Sequence, residues 1–170
     1  VNETPVIKNG YFTFGSFNTL AKINRKTIDI WSRILKLIPG SRLMIKNKQM
    51  NDASVRNMYE KYFTDNNIDK DRIILHEFSA NREEHLKCYN NIDISLDTFP
   101  YNGTATTCES LWMGVPVITL AGNSHAGRVG VSLLTVIGLK SMIAPDYDNY
   151  ISLAVFLSNN IDKVSQMRKN

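Results

Sequence analysis

The segment from Asp97 to Thr119 constrains the fold of this chain more than any other. It predicts the end of a strand, a turn containing Gly103, a helix that opens on small hydroxyl residues, and a second apolar strand. Such a unit is typical of α/β proteins, in which the amino terminus of a helix offers free N–H groups and a partial positive charge to an anion. Glu109 lies one turn into the helix, where a carboxylate accepts hydrogen bonds from sugar hydroxyls. The segment therefore predicts a seat for a ligand that carries phosphate and a ribose.

The rest of the chain also alternates between strand and helix patterns. Periodicity predicts strands at 11–17, 41–46, 72–78, 93–97, 115–120 and 141–144, and helices at 27–38, 54–63, 81–90, 106–113, 126–137 and from 147 onward. This order predicts an α/β, Rossmann-like fold with a mostly parallel sheet and helices on both faces. Ligands of such sheets lie beyond the carboxyl ends of the strands. The turns after Phe17, Phe78, Phe99 and Leu120 are therefore expected at the binding edge.

Length and composition predict a single domain over residues 1–170. Of the 170 residues, 43% are hydrophobic and 21% are charged, which is ordinary for a globular domain of this size. No stretch approaches ~18 consecutive apolar residues, so a membrane span is not expected. The start lacks a basic region followed by an apolar one, which argues against a signal peptide. Because the chain starts with Val and stops within a predicted helix, we interpret it as a fragment of a longer protein.

The two cysteines and the net charge narrow the function classes. Cys88 and Cys108 are too few for a disulfide framework or a four-ligand zinc site. Both lie in apolar helical stretches, so we expect buried free thiols and a reducing, cytoplasmic compartment. The net charge of +4 does not predict a nucleic-acid partner, because the basic residues are spread over several elements without interleaved aromatics.

Two other turns carry candidate ligand-binding residues. Lys22 follows the first predicted strand, where an ammonium group can reach a diphosphate as a point charge. Arg82 and His85 follow the third strand, where a guanidinium can reach a ribose or phosphate and an imidazole can stack on a planar ring. Each has an ordinary alternative: Lys22 in solvent, and His85 on the surface or in packing.

The turn before the predicted helix at 106–113 is unusually rich in hydroxyls. Thr104, Thr106 and Thr107 surround its start, and Asn102-Gly103 permits a tight turn. One threonine there would be an ordinary helix cap. Three of them followed by Glu109 favour a binding function.

Asp93 and Asp97 are suggestive of a pair of metal-binding carboxylates, but their spacing argues against it. They are four residues apart on a predicted strand, which separates them by about 13 Å. We interpret one as an acid at the end of the strand and expect no metal. Walker, Gly-x-Gly-x-x-Gly, Gly-x-Ser-x-Gly and His-Glu-x-x-His motifs are also missing from the sequence, which weakens the usual ATPase, dehydrogenase, hydrolase and metalloprotease interpretations.

Several motifs in one order carry a family resemblance. They are FGSFNTLAKI at 14–23, PGSRL at 39–43, REEH at 82–85, LDTFPYNG at 96–103, TTCESLWMGVP at 106–116 and RVGVSLL at 128–134. Together they resemble the carboxyl-terminal catalytic half of O-linked N-acetylglucosamine (O-GlcNAc) transferases, most of all the bacterial relatives that follow tetratricopeptide repeats.

This resemblance implies one half of a GT-B fold that holds UDP-N-acetylglucosamine (UDP-GlcNAc). It implies that Lys22 contacts the diphosphate and stabilises charge on the departing UDP, and that this half carries no catalytic base. His85 matches the residue that stacks on uracil, and Glu109 matches the carboxylate that binds the ribose. The other matched donor-binding positions are Thr19, Ala80, Arg82, Thr104, Ala105 and Thr106.

Some matched positions depart from the animal enzymes. Thr104 stands where they have His, and Ala105 stands where Thr is usual. Thr19, Arg82 and Glu109 replace Gln, Lys and Asp. Ala105 removes one side-chain donor to the diphosphate, and a hydrogen bond to a charged group is worth roughly 1.5–3 kcal/mol.

The expected function is that of the UDP-GlcNAc-binding domain of an inverting, metal-independent protein O-GlcNAc transferase without a cofactor. Its expected partners are the UDP-sugar donor and, through regions outside this chain, a protein acceptor, and neither nucleic acid nor membrane. The domain alone is expected to be inactive. Two alternatives stay open: a non-catalytic nucleotide-binding or protein-interaction module of the same fold, and a related transferase that uses another UDP-sugar.

Overall fold

Six strands form one parallel sheet in the computed structural model, which describes residues 2–77, 79 and 81–169. In chain order they are β1 (Thr13–Ser16), β2 (Arg42–Lys46), β3 (Ile73–His76), β4 (Ile94–Leu96), β5 (Val117–Leu120) and β6 (Ile143–Ala144). Their spatial order is β3-β2-β1-β4-β5-β6, and every pair is parallel. The direction of winding reverses between β1 and β4, which is where ligands of such sheets bind. The predicted Rossmann-like parallel sheet is confirmed.

The described helices lie between and beyond these strands. They are α1 (Pro5–Asn9), α2 (Arg25–Leu37), α3 (Ala53–Thr64), α4 (Arg82–Lys87), α5 (Ala105–Trp112), α6 (Val129–Val136), α7 (Tyr147–Ser158) and α8 (Ile161–Lys169). Right-handed crossovers place α2 and α3 on one face of the sheet and α5 and α6 on the other. None of the helices in the described residues is long and apolar enough to cross a membrane.

Helix α2 shows how the sequence builds the core. The Asn24 side chain accepts a hydrogen bond from the Thr27 N–H and caps the helix. Ile28, Trp31 and Ile34 recur at helical spacing and are almost fully buried. The Trp31 indole donates to the hydroxyl of Tyr150 on α7, and that hydroxyl donates to the carbonyl of Asp97. The core therefore supports the carboxyl end of β4 directly.

Several predicted boundaries were wrong by a few residues. The helix predicted at 81–90 ends at Lys87 and continues as a 3₁₀ turn, Cys88–Asn91. Of the strand predicted at 141–144, the first half lies in a 3₁₀ turn, Lys140–Met142, and only the second half forms β6. The helix predicted from 147 onward is two helices, α7 and α8, and the sequence reading missed α1. Short apolar runs do not distinguish a strand from a tight helical turn, which explains the difference at 141–142.

The expected burial of both thiols was half wrong. Cys88 is buried, whereas Cys108 is exposed. Helix α5 turns Thr107 and Ser110 inward, so the neighbouring Cys108 points outward into an apolar groove with Leu111 and other residues of α5 and α6. The apolar residues of α5 therefore line an exposed groove as well as the core.

Candidate functional site

The predicted site residues lie at the carboxyl edge of the sheet, where the chain leaves β1, β3 and β4. Thr19 and Lys22 follow β1, and Lys22 ends a 3₁₀ turn, Leu20–Lys22. Arg82 and His85 belong to α4, whose cap is the Asn81 side chain on the Glu84 N–H. The remaining described positions, on the turn after β4 and on α5, are Thr104, Ala105, Thr106 and Glu109. Ala80 lies outside the described residues.

One group of contacts centres on Lys22. Its ammonium donates to the carbonyl of Asn102 at 2.9 Å and lies 3.9 Å from the centre of the Tyr101 ring. Burial lowers the pKa of Lys22, and the nearby Asp97 carboxylate opposes that shift. The ammonium has three N–H donors, so it can donate further hydrogen bonds to a ligand.

The turn that carries the Asn102 carbonyl is fixed from several sides. The Asn102 side chain donates to the carbonyl of Thr98 at 2.9 Å and accepts from the N–H of Gly130 at 3.2 Å. Its own N–H donates to the carbonyl of Ala126 at 2.9 Å. Asn102 is fully buried. The acceptor that holds Lys22 is therefore set in place before any ligand arrives.

Gly103 is required by close packing. A Cβ at Gly103 would lie 2.6 Å from the Thr106 hydroxyl, 2.7 Å from the Asn18 side-chain oxygen and 2.9 Å from the Thr107 hydroxyl. The Thr106 hydroxyl donates to that Asn18 oxygen at 2.8 Å, which joins α5 to the loop after β1. We call Asn18, Lys22, Asn102, Gly103 and Thr106 the Lys22 cluster.

The three threonines behave differently from ordinary caps. Thr104 occupies the N-cap position of α5 but makes no side-chain capping hydrogen bond. Thr107 donates back to the carbonyl of Gly103 at 3.2 Å. The hydroxyl proton of Thr106 is directed to Asn18. The N–H groups in the first turn of α5 are thus not capped by Thr104, and they are the donors that a bound anion would meet.

A second group of contacts centres on His85. Its Nε2 lies 3.0 Å from a carboxylate oxygen of Glu109, and its Nδ1 lies 2.9 Å from the ammonium of Lys46. An ammonium has only donors, so Nδ1 accepts and Nε2 carries the proton that it donates to Glu109. We call Lys46, His85 and Glu109 the His85 cluster.

The surroundings of the His85 cluster are aromatic and mostly buried. The imidazole meets Phe17 and Tyr89 edge to face, with ring centres 6.1 and 5.8 Å away. Burial lowers the pKa of Lys46, against the opposing influence of Cys88 and Glu109. The side chains of His85 and Glu109 are each 24% exposed. Part of both groups therefore remains open to a ligand.

Helix α5 joins the two clusters. Thr106 belongs to the first and Glu109, one turn later, to the second. The Tyr89 hydroxyl donates to the carbonyl of Thr106 at 3.2 Å, and the Tyr89 ring lies edge to face with His85. The structure thus connects Lys22, Thr106, His85 and Glu109 through neighbouring contacts at the carboxyl edge of the sheet, which we call the rim.

Other predicted residues flank this rim. Arg82 and Glu109 line a hollow of about 300 Å³ with Trp112. Thr104 lines another, of about 360 Å³, with His125 and Arg128. Thr19 and Ala105 are exposed.

The two aspartates are internal acceptors. Asp93 precedes β4 and Asp97 follows it, and both are fully buried. Asp97 accepts from the N–H groups of Thr98 and Gly103 and from the Thr119 hydroxyl. Among the described residues there is no group of three or more His, Cys, Asp or Glu side chains that could hold a metal ion. The interpretation of a single acid at the strand end thus missed that both have structural partners.

Sequence reasoning also missed Asn18, Lys46 and Asn102 as members of the site. Each follows or ends a strand at the carboxyl edge, and that position was an available signal. Lys46 in particular ends the apolar strand β2 with a charge and is nevertheless only 3% exposed.

Sequence comparison gives the family context. The sequence profile of Glycosyl transferase family 41 matches residues 6–170. A barley (Hordeum vulgare) protein described as a probable UDP-N-acetylglucosamine–peptide N-acetylglucosaminyltransferase, SPINDLY, is 46% identical over 170 residues, all of this chain and 18% of that protein. A Caenorhabditis elegans UDP-N-acetylglucosamine–peptide N-acetylglucosaminyltransferase is 33% identical over 156 residues, 91% of this chain and 13% of that protein. The chain therefore spans less than a fifth of either relative.

Solved structures agree with the sequence comparison. A mutant O-GlcNAc transferase from Thermobaculum terrenum superposes with a TM-score of 0.92 at 34% identity, over 95% of this chain and 31% of that one. The carboxyl-terminal domain of a group 1 glycosyl transferase from Francisella tularensis gives 0.52 at 14% identity, over 94% of this chain and 92% of that one, which shows a shared fold alone. The six-stranded sheet and its helices correspond to one half of a GT-B fold. On the strength of its profile match, its relatives and its structure, this chain belongs to glycosyltransferase family 41.

Proposed function

We propose that this chain is the donor-binding part of a protein O-GlcNAc transferase and that its site holds UDP-GlcNAc. The observation that carries the proposal is the pairing of a fixed ammonium, Lys22, with the uncapped amino terminus of α5. A diphosphate placed between them would meet a point charge on one side and backbone N–H donors on the other.

The His85 cluster suits the nucleoside of the same donor. With both ring nitrogens of His85 engaged by Lys46 and Glu109, the imidazole offers its face to a planar base. Glu109 uses one carboxylate oxygen on His85 and keeps 24% of its side chain exposed, so we propose that the exposed part accepts from ribose hydroxyls. Arg82, in the adjoining hollow, supports the ribose or phosphate side.

The proposed chemistry is inverting glycosyl transfer. A serine or threonine hydroxyl of an acceptor protein attacks the anomeric carbon, the bond to the diphosphate breaks, and UDP leaves with the negative charge that develops on it. Lys22 and the first turn of α5 stabilise that charge where it grows, which is how such groups accelerate transfer. Because protein cations supply this stabilisation, we propose that no metal is needed.

Two steps of the proposed reaction, acceptor binding and proton removal, need residues other than those of the two clusters. The chain spans 18% of the barley relative, and the two basic groups of its His85 cluster, His85 and Glu109, already bind each other. We propose that acceptor binding and proton removal belong to other parts of a longer protein, and that the 170-residue chain binds donor weakly and transfers little sugar.

Titration calorimetry of the 170-residue chain with UDP, ADP and GDP tests the proposal. Binding of UDP in preference to the two purine nucleotides supports it. The absence of heat with millimolar UDP favours the alternative of a non-catalytic module, and preference for GDP or ADP overturns the assignment of the base. UDP-GlcNAc against UDP-glucose then tests the sugar, which these residues do not specify.

A further inference from the structure

The carboxylate of Asp97 lies behind the Lys22 cluster, where a ligand at the rim would not touch it. Asp97 is fully buried. One of its oxygens accepts from the N–H groups of Thr98 at 2.9 Å and of Gly103 at 2.7 Å. The other oxygen accepts from the Thr119 hydroxyl at 2.7 Å. A single carboxylate thus fastens both ends of the turn at 98–103 to β5.

That turn presents the acceptor of Lys22. The N–H held by Asp97 belongs to Gly103, and the carbonyl that accepts from Lys22 belongs to the preceding Asn102. These two groups share one peptide unit, so its plane is fixed when Asp97 binds the N–H. Asp97 also attracts the ammonium of Lys22 across the turn.

Helix α6 closes the remaining side of the carboxylate. A Cβ at Gly130 would lie 2.8 Å from the second Asp97 oxygen and would overlap the Thr119 hydroxyl. The backbone of α6 therefore packs directly against the carboxylate.

The other end of β4 provides a natural comparison. Asp93 is equally buried and also accepts two backbone N–H groups, from Val6 at 2.8 Å and Thr13 at 2.7 Å. Burial raises the pKa of both carboxyl groups to about 6. Asp93, however, fastens α1 to β1 at the opposite edge of the sheet and has no link to Lys22.

We propose that Asp97 is a positioning residue for the donor diphosphate, because it sets the Asn102–Gly103 peptide and through it the place of the Lys22 ammonium. This inference rests on the proposed function, since it concerns the same diphosphate. Asp97 acts through Lys22 and the turn and makes no contact with the donor itself.

The test compares Asp97→Asn with Asp93→Asn by titration calorimetry with UDP and with uridine. Both variants make the same chemical change in a buried carboxylate, so both are expected to lose stability. Only Asp97→Asn is expected to weaken UDP binding, by about tenfold, while the affinity for uridine changes less than about threefold. Removing a negative charge near the phosphates would by itself strengthen UDP binding, so a loss reports the lost geometry.

A double-mutant cycle tests whether Asp97 acts on the diphosphate through Lys22. In a Lys22→Ala background, Asp97→Asn is expected to weaken UDP much less than in the wild type, because the group that Asp97 positions has gone. If the two effects are additive, or if Asp97→Asn keeps the wild-type ratio of UDP to uridine affinity, the inference is overturned. A wild-type chain that binds no UDP overturns the proposed function, and the inference with it.

Thr119→Val keeps the test available should Asp97→Asn fail to fold. It removes the hydroxyl that donates to Asp97 and leaves the turn itself unchanged, and a loss of about threefold in UDP affinity is expected. Thr13→Val is its control, since the buried Thr13 hydroxyl has no hydrogen-bond partner in the described structure. Equal UDP affinities for these two variants would count against the role of Asp97.

Discussion

The Lys22 and His85 clusters meet on α5 but are organised in opposite ways. In the Lys22 cluster the partner of the charged group is a backbone carbonyl, and the turn behind it is held by buried hydrogen bonds. In the His85 cluster three ionisable side chains bind one another directly. The first is fixed by the backbone, whereas the second depends on side chains that a ligand can rearrange.

This difference suits the two parts of the proposed donor. A diphosphate needs a fixed charge, because stabilising developing charge is most effective when no reorganisation is required. The base needs a ring face to stack on, and the ribose needs a hydrogen-bond acceptor. His85 and Glu109 can provide these after small side-chain movements. We therefore expect substitutions in the first cluster to act on the phosphate and those in the second on the nucleoside.

The largest effect is expected on the pH dependence of the free energy of unfolding, through Asp97 behind the Lys22 cluster. Burial raises the pKa of Asp97 to about 6 from an ordinary value of 3.8. The folded state therefore holds a proton that the unfolded state has already lost, and the stability this contributes disappears as pH rises through 6. From about pH 3 to about pH 7 the free energy of unfolding of the wild type should fall relative to Asp97→Asn by about 3 kcal/mol.

Urea unfolding of both proteins across this pH range measures the effect. Asp148→Asn, on an exposed carboxylate, is the control and should track the wild type. A constant difference between wild type and Asp97→Asn would mean that Asp97 keeps the same charge in both states.

Lys22→Ala should give the largest change in binding. We expect UDP affinity to fall by about thirtyfold, because a hydrogen bond to a charged group contributes roughly 1.5–3 kcal/mol. Uridine affinity should be nearly unchanged, and calorimetry with both ligands separates the two. The control is Lys36→Ala, which removes the same charge from an exposed position in the last turn of α2. Equal losses for UDP and uridine would place Lys22 away from the diphosphate.

Glu109→Ala tests the ribose assignment in the His85 cluster. Affinity for UDP should fall by about tenfold, whereas affinity for 2′,3′-dideoxy-UDP should barely change, since that analogue has no hydroxyl for Glu109 to accept from. Glu84→Ala, on an exposed glutamate of α4, is the control. A similar loss for both nucleotides would indicate that Glu109 acts only by holding His85.

Lys46→Met tests whether the His85 cluster depends on its buried cation. Long-range proton–nitrogen NMR should find the His85 proton on Nε2 in the wild type, with Nδ1 shifted once its donor is removed. We expect UDP affinity to fall by about fivefold, and Lys48→Met, at an exposed lysine, to have no effect. A wild-type proton on Nδ1 would contradict the proposed hydrogen-bond direction.

Ala105→Thr should produce the smallest change, a gain of about threefold in UDP affinity from a new donor at the first turn of α5. Ala105→Val has nearly the same shape without the hydroxyl and should give no gain. Equal affinities for the two variants, measured by calorimetry, would show that the diphosphate does not reach this position.

Much of the architecture could be predicted because it depends on local patterns. Alternating strand and helix periodicities predicted the parallel sheet, and the Gly103 turn followed by hydroxyl residues predicted the start of α5 within one residue. The predicted burial of Cys108 was wrong because helical periodicity does not reveal that α5 has a second apolar side that is exposed.

The sequence by itself determined the fold, the family motifs and the edge of the sheet at which the candidate residues gather. Only the tertiary structure decided that Lys46 binds His85 from 39 residues away, that Asn18 binds Thr106 from 88 residues away, and that Asp97 lies behind Lys22. The physical reason is that strand order and register bring these groups together, and a hydrogen bond between distant residues leaves no periodic mark in the sequence.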